Sequence, residues 1–373
     1  MKIGIINGFD TYEHRVDLLL KYFNNGHNDV VVFSSDFKHI TKSKRIEKKE
    51  NFIFVKTKPY MKNISITRLY SHSSFSKDVF KYIDNNYDLL WILLPPNSLV
   101  NQVAKYKKNN PHTKIVFDII DLWPETMPIG KIKNLYPFTI WKNLRNKNLN
   151  KADFIVTECD LFKTKLPTNI SKNKVATLYL SYGNVKKTYR KKIPLKSNTI
   201  SLCYLGSINN IIDINTIYQI VFSLSKKYSV IFHLIGIGEK KSELLASLNI
   251  ENVEVIDHGV IFDETEKNKV FEMCHFGLNI MKKEVFVGLT MKSLDYFKSG
   301  LPIINNIQGD TWQFVEKYGV GINTTNGIIT ENLLENYEKN YSDIQEFYHN
   351  TFSETQFFEN VNSIIENIRG NDV

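Results

Sequence analysis

The sequence predicts an α/β protein made of two doubly wound parallel-sheet domains in tandem. Three observations carry that expectation. Strands such as LLWILL at 89–94 are apolar at every position, the pattern of strands covered by helices on both faces. Each such strand is followed by a segment with apolar residues at helical spacing, which is the βαβ alternation. The chain has 373 residues, too many for one ordinary core and suited to two.

In order, KIGIIN (2–7) reads as the first strand, and a glycine-containing loop leads to the helix RVDLLLKYFNNG (15–26), stopped by its glycine. DVVVFSS (29–35) and NFIFVKT (51–57) are the next strands, and SSFSKDVFKYIDNN (73–86) is a helix. DLLWILLPP (88–96) is a strand closed by prolines, SLVNQVAKYKKNN (98–110) a helix, KIVFDII (114–120) a strand, 135–150 a helix and ADFIVTEC (152–159) a strand. GNVKKTYRKKIPLKSNT (183–199) is basic, turn-rich and weakly periodic, so it reads as a linker. The first domain is therefore expected at 1–185 and the second at 186–350. The alternation restarts with ISLCYLG (200–206), a helix at about 213–227, SVIFHLIGIG (229–238), a helix at 239–248 and VEVIDHG (253–259). A helix at 263–274, HFGLNIM (275–281), a short helix from Met291 to Ser299, LPIINNI (301–307) and a terminal helix at 353–368 complete it. Ligands of such sheets sit beyond the carboxyl ends of the strands, and two domains in tandem predict a cleft between them.

Composition narrows the class. The chain is 42% hydrophobic and 23% charged, which is globular rather than disordered. MKIGIINGFD has no basic region followed by an apolar one, so no signal peptide is expected. The apolar runs fall short of the roughly 20 residues a membrane span needs. Three scattered cysteines (Cys159, Cys203, Cys274) suit a reduced cytosolic setting, with neither a disulfide framework nor a zinc site. The net charge of +9 allows nucleic acid, an anionic membrane face or anionic substrates. The densest basic run, KHITKSKRIEKK at 38–49, lacks aromatic interleaving and any nucleic-acid-binding spacing, so nucleic acid is not expected as a partner.

The stretch VFVGLTMKSLDYFKSGLPII (285–304) holds the most chemistry. Thr290 suits an N-cap, Gly300 the left-handed position after the helix, and Pro302 prevents continuation. The free N–H groups at such a helix front bind phosphates. Gly288 lets a backbone approach closely, and Lys292 adds a full charge in the first turn. Asp295, one turn deeper, can accept two ribose hydroxyls. The same two residues can equally form an ordinary i,i+3 surface pair. Three further strand ends carry glycine: Gly206 with Ser207, Gly236 with Gly238, and Gly259. The Gly-x-Gly pair lacks the third glycine of a dinucleotide fingerprint.

The order YLGS, HLIGIGEKKSEL, VEVIDHGVI, HFGLNIM and MKSLDYFKSGLPII resembles the nucleotide-sugar domain of GT-B glycosyltransferases of family four. DIIDLWPETMP (118–128) is similar to the Asp-Leu-Trp-Pro segment of bacterial polysaccharide members. The terminal segment 350–368 resembles the helix that crosses back onto the first domain, which sets a third segment at 351–373. The resemblance implies a retaining transfer of a sugar from a nucleoside diphosphate sugar, with a UDP-sugar the default donor and a GDP-sugar open. It implies no cofactor and no metal, and no Asp-x-Asp motif occurs in the chain. It places Asp295 at the ribose, Gly259 and Val260 at the base, Gly288, Leu289, Thr290, Met291 and Lys292 at the diphosphate, and Gly8 facing the phosphates from the first domain.

Two positions depart from the family pattern. The paired acid, expected with seven residues between it and Asp295, is Val287, with Glu284 as the nearest substitute for reading the donor sugar. The arginine expected after Gly206 is Ser207, so diphosphate neutralisation would lean on Lys292, the helix front and Arg15. Transfer needs the leaving charge stabilised and the acceptor proton removed. The loop after KIVFDII offers Asp121 and Glu125 for the proton, Asp121 first because it ends the strand; it can equally cap a turn. Asp118 is mid-strand and reads as structural, and Trp123 can stack on a sugar ring or fill the domain surface. His14 and His258 read as bystanders. Lys62, Arg68, Tyr70, Phe75 and Lys77 would line the acceptor side, and such a surface could lie against anionic headgroups. The acceptor is expected to be a glycan, a lipid-linked acceptor or a protein, in surface polysaccharide or glycoconjugate synthesis at the inner face of the cell membrane. The alternatives are a sugar-nucleotide epimerase on the same fold, or a catalytically degenerate subunit assisting another transferase.

Overall fold

In the computed structural model the chain is described over residues 1–127, 129–183, 198–329, 337 and 344–370. It divides into two compact units, Met1–Ser181 with Phe357–Val373, and Tyr182–Gln356. Most of the expected linker, with its boundary at 185/186, lies outside the described residues.

Among the described residues, the first unit holds seven parallel strands: β1 (Lys2–Asn7), β2 (Asp29–Ser35), β3 (Phe52–Val55), β4 (Leu89–Leu94), β5 (Lys114–Ile119), β6 (Phe154–Thr157) and β7 (Val175–Thr177). Their spatial order is β3-β2-β1-β4-β5-β6-β7, so the order reverses between β1 and β4. Its helices are α1 (Glu13–Asn25), α2 (Ile66–Asp78), α3 (Ser98–Asn109), α4 (Phe138–Asn146) and α5 (Asp160–Lys163). The second unit holds β8 (Thr199–Leu205), β9 (Ser229–Ile235), β10 (Val253–Gly259), β11 (Phe276–Asn279), β12 (Ile303–Asn305) and β13 (Gly321–Asn323). These are ordered β10-β9-β8-β11-β12-β13, reversing between β8 and β11. Its helices are α6 (Ile214–Ser225), α7 (Lys241–Ser247), α8 (Glu264–Glu272), α9 (Met291–Lys298), α10 (Asp310–Tyr318) and α11 (Ile344–Phe352). The last helix, α12 (Glu354–Gly370), runs into the first unit. Both sheets thus have the doubly wound order, and each unit has its own switch point where ligands of such folds bind.

Apolar burial holds each unit together. β4 is buried at all six positions, as its uninterrupted apolar run requires. α12 places Phe357, Val361, Ile364, Ile365 and Ile368 against Val16, Leu19 and Phe23 of α1 and the strand residues Ile3, Ile5 and Trp91. The spacing of these apolar residues is that of one helix face, and each buried side chain contributes about 1.5–3 kcal/mol. In the second unit Phe297 of α9 meets Phe347 and Phe352 of α11 at ring-centroid distances of 5.2 and 6.4 Å.

Some elements differ from the expectation. The helix expected at 73–86 begins at Ile66, because the Ser65 side chain accepts the Arg68 N–H as an N-cap, and it ends at Asp78 before a 3₁₀ turn. β7 and β13 have three residues each, too short for periodicity to reveal. α10 was not anticipated, although its C-terminus carries the usual signal: Gly319 at φ 62°. Among the described residues no helix is long and apolar enough to cross a membrane.

Candidate functional site

The second unit's site is built from four strand ends. Beyond β8, β9 and β10 the ladder continues into the loops: Gly206 N–H donates to the Ile235 carbonyl (2.9 Å), Ile208 N–H to Ile237 (2.9 Å), and Gly236 N–H to Gly259 (2.6 Å). This close approach explains two glycines. A Cβ on Gly236 would lie on the carbonyl oxygen of Gly206, and one on Gly238 on that of Ile208. Gly236 therefore owes its identity to the neighbouring loop rather than to a ligand. Around Gly206 the one atom near an added Cβ is Lys292 Cε at 3.9 Å, and around Gly259 (φ 66°) nothing lies within 4 Å. Ser207 and Val260 are exposed beside them.

The front of α9 forms as its sequence suggests. Thr290 Oγ1 accepts the Ser293 N–H (3.2 Å), and Thr290 N–H donates back to Ser293 Oγ (3.4 Å), a reciprocal capping box. Thr290 Oγ1 also donates to Asn279 Oδ1 (2.7 Å). From there a chain of amides crosses three adjacent strand ends. Asn279 Nδ2 donates to Asn305 Oδ1 (2.9 Å), and Asn305 Nδ2 to Asn323 Oδ1 (2.8 Å). The three residues are in register on β11, β12 and β13. Behind it, the Gly288 carbonyl accepts from Thr311 N–H (2.9 Å) and Oγ1 (2.7 Å). The loop and the helix front are thus fixed from both sides. Among the described residues, the N–H groups of Met291 and Lys292 have no acceptor. Leu289 is half-buried and Met291 exposed.

Lys292 and Asp295 do not pair with each other. Asp295 Oδ1 takes an ion pair from Lys267 of α8 (2.6 Å), while Lys292 turns to the second unit's first strand. Its Nζ lies 3.1 Å from Tyr204 Oη and 4.1 Å from that ring's centroid. No carboxylate among the described residues pairs with it. Burial therefore dominates, and the ammonium is pulled down to about 7. A cation held in a low-dielectric setting without a counter-charge, beside two free backbone donors, is arranged for an anion. Glu284 is exposed on the same loop, and the half-buried Val287 occupies the place of the absent acid.

In the first unit several candidates are accounted for by packing. Arg15 is buried, with Nε and Nη2 each 2.7 Å from Asp118 and Nη1 2.7 Å from the Leu178 carbonyl. All three nitrogens are thus engaged within the first unit, where the sequence reading had Arg15 help neutralise the diphosphate. Asp118, also bonded by Trp91 Nε1 (2.8 Å), is the structural residue that its mid-strand position suggested. Glu125 holds Arg145 through both oxygens (3.1 and 3.0 Å). Burial opposes ionisation there, but the Arg145 hydrogen bond and charge outweigh it and lower its pKa. Glu125, expected as a proton carrier, is thus held in a buried ion pair. Gly8 is needed because an added Cβ would come within 2.6 Å of Pro96. Asp121 keeps a chemical role open: it is half-buried and accepts from Tyr12 Oη (2.6 Å), and burial raises its pKa against the lowering by Tyr12, Thr126 and Arg68. His14 is exposed and its ring meets the Ser181 carbonyl. His258 stacks on His233 of the adjacent strand, centroids 5.3 Å apart.

Sequence reasoning missed the asparagine ladder and Tyr204. The ladder had a signal: FGLN, PIIN and GIN each end a strand in asparagine, an unusual repetition at positions where side chains would otherwise be apolar. Tyr204 had none, since its contact with Lys292 spans 88 residues. Among the described residues no group of three or more metal-ligating side chains occurs.

No family model matches the chain, and no curated protein matches it by sequence. Solved structures do. The chain is similar to the lipopolysaccharide outer core galactosyltransferase WaaB in its apo form, at 15% identity and a TM-score of 0.68, over 98% of this chain and 99% of that one. It is similar to a sucrose-phosphate synthase from Thermosynechococcus elongatus, at 12% identity and 0.68, over all of both chains. It is similar to Anabaena HepE in complex with UDP and glucose, at 12% identity and 0.62, over 98% and 99%. With two doubly wound sheets in the orders found here and full-length likeness to these structures, the chain has the GT-B glycosyltransferase fold.

Proposed function

We infer that the chain is a retaining glycosyltransferase that uses a nucleoside diphosphate sugar, with UDP as the nucleotide. The observation that carries this is Lys292: a cation without a counter-charge, at a capped helix front, beyond the switch point of the second sheet. The diphosphate would sit against the N–H groups of Met291 and Lys292 and the ammonium, which stabilise the charge that develops on the leaving group. Gly206 and Gly259 leave room for phosphate and base. That HepE is solved with UDP and with UDP-glucose favours the same donor class here. The acceptor would be a hydroxyl of a glycan or a lipid-linked molecule, held by the first unit, with Asp121 as the candidate proton acceptor. The Lys267 ion pair on Asp295 must open, or Asp295 must share its free oxygen, for that carboxylate to bind ribose.

The test is a thermal-shift screen against UDP, GDP, ADP and CMP, followed by assay with UDP-sugars. Selective stabilisation by UDP, lost in Lys292→Met, supports the reading. No stabilisation by any nucleotide sinks it. A second reading, a subunit that binds nucleotide without turnover, is favoured by Val287 in place of the acid; it predicts UDP binding but no sugar release or transfer.

A further inference from the structure

The first unit carries a second set of unsatisfied donors. Arg68, in the first turn of α2, is enclosed by aromatic rings from three loops: Phe9 after β1, Tyr60 after β3 and Trp123 after β5. Its guanidinium carbon lies 4.3 Å from the Trp123 ring centroid, 5.6 Å from Tyr60 and 5.7 Å from Phe9. The residue is 4% exposed, and no carboxylate among the described residues pairs with it. Asp121 attracts it without forming an ion pair, and a guanidinium buried with no carboxylate in contact is costly.

The hydrogen bonds sharpen the point. Arg68 Nη1 donates to the Asn63 carbonyl (2.6 Å), and Nε donates to His72 Nε2 (3.3 Å). Arginine can only donate, so His72 Nε2 accepts and the neutral ring carries its proton on Nδ1. That Nδ1 is buried and has no partner. His72 packs on the same rings, 5.2 Å from Phe9 and 6.0 Å from Trp123. Lys42 adds a second cation, 4.8 Å over Tyr60 and bonded to Asn63 Oδ1 (2.7 Å). Tyr60 Oη bonds His39 Nδ1 (2.6 Å). Two acids lie near without an ion pair to Arg68: Asp10 accepts the His39 backbone N–H (2.7 Å), and Asp121 accepts the Tyr12 hydroxyl and attracts the guanidinium from there. Burial first, then Arg68, holds His39 down to about 4 and His72 well below its usual value, so both rings stay neutral at pH 7.

We propose that this enclosure binds a phosphoryl group of the acceptor, with Arg68 as its buried counter-charge and Lys42 and His72 Nδ1 as further donors. Two cations and a ring N–H match the charge and three oxygens of a phosphate ester better than the two oxygens of a carboxylate. The anion site stands on this unit's geometry alone; giving its ligand to the acceptor rests on the transferase reading. A water-soluble sugar phosphate and a prenyl phosphate share this chemistry.

The test uses the full chain with UDP in excess to fill the donor site. Inorganic phosphate, glucose 6-phosphate and farnesyl phosphate are titrated by calorimetry, with the histidine ring protons followed by NMR. Expected are saturable binding, shifts of the His39 and His72 resonances, persistence in Lys292→Met and at least a tenfold loss in Arg68→Gln. The tighter of the two esters names the source. Binding that disappears in Lys292→Met, or is unchanged in Arg68→Gln, overturns the proposal, as does no saturable binding. If Arg68→Gln does not fold, the wild-type resonances decide alone: no shift overturns it. UDP affinity in the same samples reports the donor reading separately, so either claim can fail without the other.

Discussion

Lys292 should make nucleotide binding depend on pH in a specific direction. Its ammonium is lowered to about 7 by burial, and no carboxylate among the described residues offsets that. A bound diphosphate supplies the missing charge and raises the pKa, so binding takes up a proton. At pH 7 about half of the free protein must gain one, and at pH 8 about 0.9 proton per nucleotide, by simple titration around 7. The terminal phosphate of UDP, with a second pKa near 6, is already dianionic in this range and contributes little. The dissociation constant should therefore rise about 50-fold between pH 7 and pH 9, while the bound pKa stays above 9. Calorimetry in buffers of different ionisation enthalpy measures the uptake directly. Lys292→Arg should bind with no such dependence, because a guanidinium stays charged. Lys292→Met should weaken binding at pH 6.5 by about 10- to 150-fold, the range of a charged hydrogen bond worth 1.5–3 kcal/mol, and also lose the slope. Zero proton uptake at pH 8, or a slope that survives in Lys292→Met, would refute the reasoning.

Two further predictions separate packing from ligand contact. Gly236→Ala forces its new carbon onto the Gly206 carbonyl and should destabilise the second unit severely, whereas Gly259→Ala meets no atom and should cost about 1 kcal/mol for its left-handed backbone; the two melting temperatures check this. Arg15→Met leaves Asp118 buried with the Trp91 indole as its remaining side-chain donor and should cost about 3–5 kcal/mol in urea unfolding, yet leave the UDP dissociation constant unchanged; a selective loss of UDP affinity would restore Arg15 to the donor site.

What the sequence made legible follows from how local each signal is. The apolar runs of β1, β2, β4, β5, β8 and β9 each exceed what a loop would carry, and their alternation with helices implies the two parallel sheets that form. The α9 front was readable because a capping threonine, a first-turn lysine and a Gly-x-Pro stop all fall within 13 residues. Partners set by tertiary structure were not. Lys292 pairs with Asp295, three residues on, in one of the two sequence readings. It instead meets Tyr204, and Asp295 meets Lys267, because β8 and α8 bring those side chains closer than the helix's own next turn. Arg15 and Glu125 look available in the sequence because nothing within ten residues of either carries the opposite charge that holds it. Asp118 and Arg145 arrive through the fold, from 103 and 20 residues away.

The same logic explains why the cations that matter are those the fold leaves unpaired. Arg15, Arg145 and Lys267 each find a carboxylate, and the protein's +9 charge gives no hint of which ones do not. Among the described residues Lys292 and Arg68 do not, one in each unit, both beyond the carboxyl ends of a doubly wound sheet. A buried charge without a partner costs stability that packing must offset, and a fold can retain such a cost where a ligand removes it. These two cations are therefore separate demands for a counter-ion. Each can be met by a different molecule and abolished by a different substitution.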